Sequence, residues 1–447
     1  MIAKCSATQE LDFLRDRQLW KGKDACDDRP FSFPPSFPGR NDMATDSTDN
    51  RFNYFFGLIN LAGIFCIVWF LWYFFMNPDA VMKLYTPMYG FSLVVVFLSG
   101  LILMTKVLDY NAWFKNQSEN QHVVLMGLLW TFIAFLLMIF INYLVFWGFI
   151  GKFGIAYFSP DSIVAGGGIG AEPFAARENA STAILYYFTA FLWMALFWDL
   201  GFGKWPWHKD NAGTRAWSKF FVIFFFTTLF YILLFHSHIC YLFYPAQSKA
   251  AVAPWWETLA STGSAFFGLG LVLCTLAWIV FSDLLWEGQP WKKYGKNGEG
   301  TFGKGFVTFI ATLTLGIILL FIILQCLNYY WDEAFVGGQY TDGPDWRYIH
   351  SGEIAGFFVL AAFILKNYFN NFPNISRLWL RALIRTVLAI VIGLLLYWFY
   401  YSPLATFFLA KVEGFAQPGD TPLVWALLFL SVIIIQNEFF KGWPLKK

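Results

Sequence analysis

The sequence predicts an all-α fold, a polytopic integral membrane bundle of about ten transmembrane helices, on three observations. First, 58% of the 447 residues are hydrophobic and only 13% are charged, with mean hydropathy +0.52, too apolar for a water-soluble chain of this size. Second, apolar runs long enough to cross a bilayer, about 20 residues at 1.5 Å each, recur from Asn53 onward. Third, a two-helix unit repeats in the same sense. Its connector reads Asp199-Leu200-Gly201-Phe202-Gly203-Lys204-Trp205-Pro206-Trp207-His208-Lys209 and then Asp283-Leu284-Leu285-Trp286-Glu287-Gly288-Gln289-Pro290-Trp291-Lys292-Lys293, at a constant offset of 84. Looser matches flank it, Ala180-Ser181-Thr182 with Ala260-Ser261-Thr262 upstream and Lys219 with Lys304 downstream.

Taken in order, residues 1–52 are polar, with Pro and Phe mixed through 30–40, and read as a flexible cytoplasmic segment ahead of a transmembrane domain at 53–447. No signal-type apolar core precedes the first span, and Met43-Ala44-Thr45-Asp46 offers a second candidate start. The spans fall near 54–76, 86–106, 122–147, 182–203, 217–244, 260–286, 304–330, 351–371, 378–402 and 421–441.

The Lys and Arg distribution orients them. The turns after spans 2, 4, 6 and 8 together with the C-terminal tail hold 17 of the 31 basic residues, the N-terminal tail 8, and the alternate loops 6. Both termini are therefore expected in the cytoplasm, with the chain in a bacterial-type inner (plasma) membrane. The outer loops carry 12 of the 29 acids. Four hairpins, spans 2–3, 4–5, 6–7 and 8–9, would use the parallel repeat.

In the turns, Asp199, Pro206, Trp207, Asp283, Pro290 and Trp291 have a structural explanation: proline stops the helix, tryptophan anchors it at headgroup level, and lysine faces the cytoplasm. Each aspartate opposes the dipole at a helix C-terminus, so a partner among Lys204, Lys219, Lys292 and Lys304 is expected. Arg377, Arg381 and Arg385 recur every four residues where span 9 enters, as a stripe snorkelling to anionic headgroups.

Ionisable groups at membrane depth point to function. His236 and His238 lie there in span 5. On a helix His236 shares a face with Cys240, whereas His238 points roughly 200° away, at ~100° per residue. Glu178, Glu257 and Glu353 are expected to open spans 4, 6 and 8, with His350 one turn before Glu353. Convergence of Glu178, Glu257, Glu353, His238 and His350 around one axis would form an acidic outer mouth that attracts cations or protonated substrates; dipole complementarity alone would also place carboxylates at helix starts.

Net charge +2, with no basic stripe beyond the short inner turns, argues against nucleic acid as a partner. The six cysteines show no CxxC spacing, and the glycine run at 166–170 lacks the setting of a phosphate loop. No Ser-His-Asp set, HExxH or dinucleotide fingerprint supports soluble-type catalysis. The leading expectation is a transporter or permease for a small solute or ion. One alternative is a metal- or haem-binding redox enzyme or subunit, ligated by His236, Cys240, His238 and His350. Another is a structural subunit of a larger membrane complex, held by the bilayer and its partner subunits.

Overall fold

The computed structural model describes residues 46–77, 81–82, 87–110, 122–149, 160–165, 167, 169, 172–242, 254–262, 264–295, 300–330, 345–409 and 422–444. Residues 1–45, the acidic pair 332–333 and much of the glycine run lie outside them. Among the described residues all regular structure is helical and no strand occurs. Nine of these helices are long and apolar enough to cross a membrane, which marks the chain as a membrane protein. At the second expected span the described apolar part, Ser92–Val107, is shorter than the rest.

The main helices are α1 (Asp46–Leu71, extended by Trp72–Met76), α2 (Pro87–Ile102 with Leu103–Val107), α3 (Val123–Ile141 with Asn142–Trp147), α4 (Glu172–Leu196 with Phe197–Gly201) and α5 (Ala212–Tyr231 with Ile232–His236 and Ser237–Leu242). There follow α6 (Ala265–Val280 with Phe281–Leu285), α7 (Phe302–Tyr330), α8 (Asp345–Phe369), α9 (Leu378–Tyr400) and α10 (Pro422–Ile434 with Ile435–Phe439).

Burial divides them. The apolar stretches of α4, α6, α8 and α10 are 78–94% buried, those of α1, α3, α5, α7 and α9 only 22–39%. The even helices form the interior: α2 packs on α4, α4 on α6, α6 on α8, α8 on α10, and α10 back on α2, closing a ring. The odd helices are clad around it. α3, α5, α7 and α9 each pack on the even helix before them, and at its end touch the even helix one step further round: α10, α2, α4 and α6 respectively. α1 sits likewise, Phe65 packing edge-on against Trp425 of α10 and Gly57 lying under the Tyr368 carbonyl of α8.

Sequence chemistry explains this division. The odd helices are apolar on every face and leave Leu125, Phe221, Phe225, Phe306 and Leu395 exposed, as suits hydrocarbon contact. The even helices place small residues where backbones meet, because apolar lipid offers no hydrophobic drive between helices and close packing must hold them. At the α6–α8 contact a Cβ on Gly270 would lie 2.3 Å from the Tyr348 carbonyl oxygen, and one on Gly352 3.0 Å from the Gly270 Cα.

Four even helices end alike. After α4, α6, α8 and α10 come two residues with φ between +48° and +81°: Gly203-Lys204, Glu287-Gly288, Asn370-Asn371 and Lys441-Gly442. The second of each pair donates its N–H to a carbonyl six residues back: Lys204 to Trp198 (3.3 Å), Gly288 to Ser282 (2.8 Å), Asn371 to Leu365 (2.9 Å) and Gly442 to Gln436 (2.7 Å). A cis X-Pro bond follows each time, at Pro206, Pro290, Pro373 and Pro444. The left-handed pair with its six-to-one bond is what stops the helix, by satisfying late carbonyls; the proline follows the stop and does not make it.

The turn after α2 has a single left-handed residue among those described, Asp109 (φ +51°). Counting back four residues from the first left-handed residue of each turn gives Thr105 in α2, Asp199 in α4, Asp283 in α6 and Lys366 in α8. Trp291 is buried by protein, and Trp207 stacks on Trp198 at 6.3 Å, so these rings pack the turns as well as capping them.

Candidate functional site

Helix α8 carries the deepest ionisable pair. The expectation that Glu353 opens this helix fails, because the helix begins at Asp345, about 12 Å earlier along the axis. The dipole therefore does not account for Glu353, which lies within the apolar stretch Arg347–Phe369 and is 1% exposed. His350, one turn before it and also buried, places Nδ1 2.7 Å from Glu353 Oε2. The (i, i+3) spacing brings the two side chains over one another. An ion pair there is costly unless well paired, and a single member left alone is costlier still.

The C-terminal end of α9 brings two phenols within the electrostatic reach of Glu353. The charge of Glu353 acts on both Tyr397 and Tyr401, whose rings meet edge-on at 5.1 Å. Tyr401 lies just past the end of α9 and is partly exposed. These tyrosines carried no sequence signal beyond composition, since their nearness to Glu353 depends on how α9 folds back on α8.

The other expected mouth residues have partners of their own. Where the short helix Pro254–Thr262 packs on the end of α5, His238 Nδ1 lies 3.0 Å from the Ala260 carbonyl oxygen, and Tyr241 donates to Glu257 at 3.0 Å. His238 and Glu257 thus belong to one small hairpin, while His350 and Glu353 share the interior of α8. Glu178 lies in α4, six residues after its first residue, and its side chain is outside the described residues.

His236 turns inward, as the helical angle requires, with Cys240 Sγ 3.6 Å from its Nε2 and the Tyr231 hydroxyl 3.3 Å from its Nδ1. Among the described residues no three of His, Cys, Asp and Glu come close enough to hold a metal ion. Of the four ligands named for the redox alternative, only His236 and Cys240 are brought together.

A second polar centre lies at the opposite end of the ring, where the even helices finish. Asp199 is 3.8 Å from both Lys219 and Lys204, as the sequence anticipated; Lys204 also approaches Asp109, which binds Arg215 at 3.2 Å. Asp283 sits among the charges of Lys106, Lys304, Lys366 and Asp199. The cations do more than pair. Lys219, fully buried, donates to the Lys106 carbonyl at the end of α2; Lys304 donates to the Leu200 carbonyl of α4 at 3.3 Å; Arg385 donates to the Leu285 carbonyl of α6 at 3.2 Å. Three odd helices, α5, α7 and α9, thereby each supply a cation to the end of an even helix, the favourable polarity for a helix C-terminus.

The arginine stripe of α9 is part of this centre. Arg385 is 2% exposed, held by Glu287 (2.9 Å) and Asn374 (3.0 Å), and Arg381 also binds Glu287 (2.8 Å). Only Arg377 is exposed as the snorkelling reading requires. Arg385 faces inward because the α6 turn presents both a carboxylate and bare carbonyls to that side of α9, a contact that sequence spacing alone does not reveal.

Compared with known family models, curated proteins and solved structures, the chain matches none of them.

Proposed function

We propose that the chain is a permease for a small solute or ion, with His350 and Glu353 as its charge-handling element. The observation that carries this reading is a carboxylate–imidazole pair buried inside an apolar span. Such groups are rare at membrane depth and typically mark ion or proton paths, and two groups sharing a hydrogen bond can pass a proton between them with no change in the net charge of the pair.

The ring supports the reading. On the basic-residue distribution, the termini and the lysine-capped helix ends face the cytoplasm and the His350–Glu353 pair lies toward the outside, beneath the acidic loops. In this reading the even–odd hairpins are equivalent units about one axis, α10 and α1 completing the set. The common left-handed stops after α4, α6, α8 and α10 and the cations that α5, α7 and α9 lend to neighbours favour that equivalence. Small shifts between units would then expose the pair to one side or the other.

Purified protein in vesicles containing a pH-sensitive dye tests this. An imposed potential is expected to drive proton or cation flux through wild-type vesicles, and Glu353→Gln or His350→Gln is expected to reduce it to the protein-free level. Wild-type vesicles no leakier than empty ones across the solutes tried would overturn the reading, as would Glu353→Gln vesicles indistinguishable from wild type.

A further inference from the structure

A cavity of about 470 Å³ lies between α4, α5, α6, α7 and α8. Its volume is within the roughly 300–1,000 Å³ of sites that hold small organic ligands. Leu233 and Leu234 of α5 form its rim and are exposed at 63% and 39% on a helix whose outer face is otherwise apolar, so it opens sideways toward the bilayer. Neither His350 nor Glu353 lines it, and none of the described residues that do is charged.

Two of its lining groups are buried polar atoms without a mate. The Trp193 indole nitrogen on α4 and the Thr275 hydroxyl on α6 have no hydrogen-bond partner among the described residues, on side chains buried within the helix ring. They also lie at one depth. Trp193 stands six residues before Asp199 and Thr275 eight before Asp283. Those aspartates hold matching places ahead of the left-handed stops, so the two groups are offset by two residues, about 3 Å along neighbouring helices. Gly316 of α7 keeps the space beside the Thr275 hydroxyl free of any side chain. Buried donors are rarely left unpaired, because the lost hydration is not repaid; here they point to a ligand that supplies an acceptor.

Donor chemistry narrows that ligand. An indole N–H only donates, while a threonine hydroxyl both donates and accepts. One carbonyl oxygen, with two lone pairs, can take both protons. A ligand hydroxyl would serve Trp193 too, but it brings a further proton, and one of the two hydroxyl protons would then stay unpaired. A lining without charge gives a charged ligand no compensation for its lost hydration. The walls beside Trp193 are aromatic: Phe309 stacks on it at 5.9 Å and Phe230 packs on it at 5.1 Å, surfaces that suit a flat ring.

We infer that this cavity binds an uncharged, lipid-soluble ring carbonyl compound, of the quinone or aryl ketone class. It enters from the bilayer past Leu233 and Leu234, and one carbonyl oxygen accepts from both Trp193 Nε1 and Thr275 Oγ1. The ring lies against Trp193, Phe230 and Phe309. This site requires membrane insertion of the chain and is independent of transport.

The test is equilibrium dialysis of the full chain in detergent against methylnaphthoquinone and against methylnaphthalene, which has the same fused rings without the carbonyls. Binding is counted above that of Leu313→Trp, a variant that fills the cavity. Wild type is expected to bind the quinone several-fold more tightly than the hydrocarbon. Thr275→Val and Trp193→Phe, which keep the shape and remove one donor each, should each weaken the quinone several-fold and leave the hydrocarbon unchanged. The double variant should show no preference between the two. Equal affinity of wild type for both compounds would overturn the inference, as would a preference that survives in the double variant. Tighter binding of naphthol than of the quinone would also overturn it, by assigning the site to a hydroxyl compound.

Discussion

His350 Nδ1 and Glu353 Oε2 lie 2.7 Å apart, one turn from each other on α8 and both shielded by surrounding helices. This pairing gives a prediction separable from transport. Removing one partner leaves the other buried and uncompensated, a loss of about 3–5 kcal/mol, whereas replacing both with apolar side chains of similar size can be neutral. His350→Leu alone is therefore expected to lower the unfolding temperature in detergent more than the double variant His350→Leu/Glu353→Met, while both lose flux. A double variant less stable than either single one would remove the pair from any special role.

The contact of Asp199 with Lys219 calls for the same logic at the other end of the ring. Lys219 is fully buried and its remaining partner is the Lys106 carbonyl. Asp199→Asn is expected to destabilise by about 3 kcal/mol, and Lys219→Met by less, because Asp199 keeps Lys204 as a partner at 3.8 Å. In the double variant the two losses should add to less than their sum, the signature of coupled neighbours. Strict additivity in thermal unfolding would show that the two side chains do not interact.

Close approach of α6 and α8 is predicted to be intolerant of volume. Gly270→Leu forces a side chain into the Tyr348 carbonyl, where even a Cβ would be 2.3 Å away. Loss of monodisperse protein on size-exclusion chromatography is the expected outcome. Gly303, whose Cβ would meet nothing within 4 Å, is the matched control and should accept alanine without change.

Topology is testable by fused reporters. A reporter in the turn at 209–215 or after Lys447 should signal cytoplasm, and one at 249–253 the outside. An external signal from the 209–215 turn would invert the arrangement and move the His350–Glu353 pair to the cytoplasmic side.

The division between what sequence and tertiary structure each decided follows from the range of the interactions. Helical class and membrane residence were legible because they depend on composition and on runs of about 20 apolar residues, which are local. That a helix ends at each of the two Asp-to-Lys turns was legible for the same reason, since backbone stops are written in a few adjacent residues. The partners of Asp199 were also within reach, because the helix that supplies Lys219 follows in the same hairpin. The ring closure of α10 on α2 and the burial of Arg385 against Glu287 were not. These join residues on different helices, and even the four-residue period of the α9 arginines shows which face they share without showing what that face meets. Even the placement of Glu353 inside α8 required the fold: the polar residues at 345–350 look like a loop in sequence, and in the helix Tyr348 packs on Phe267 of α6, Arg347 donates to Asn328 of α7 and His350 pairs with Glu353.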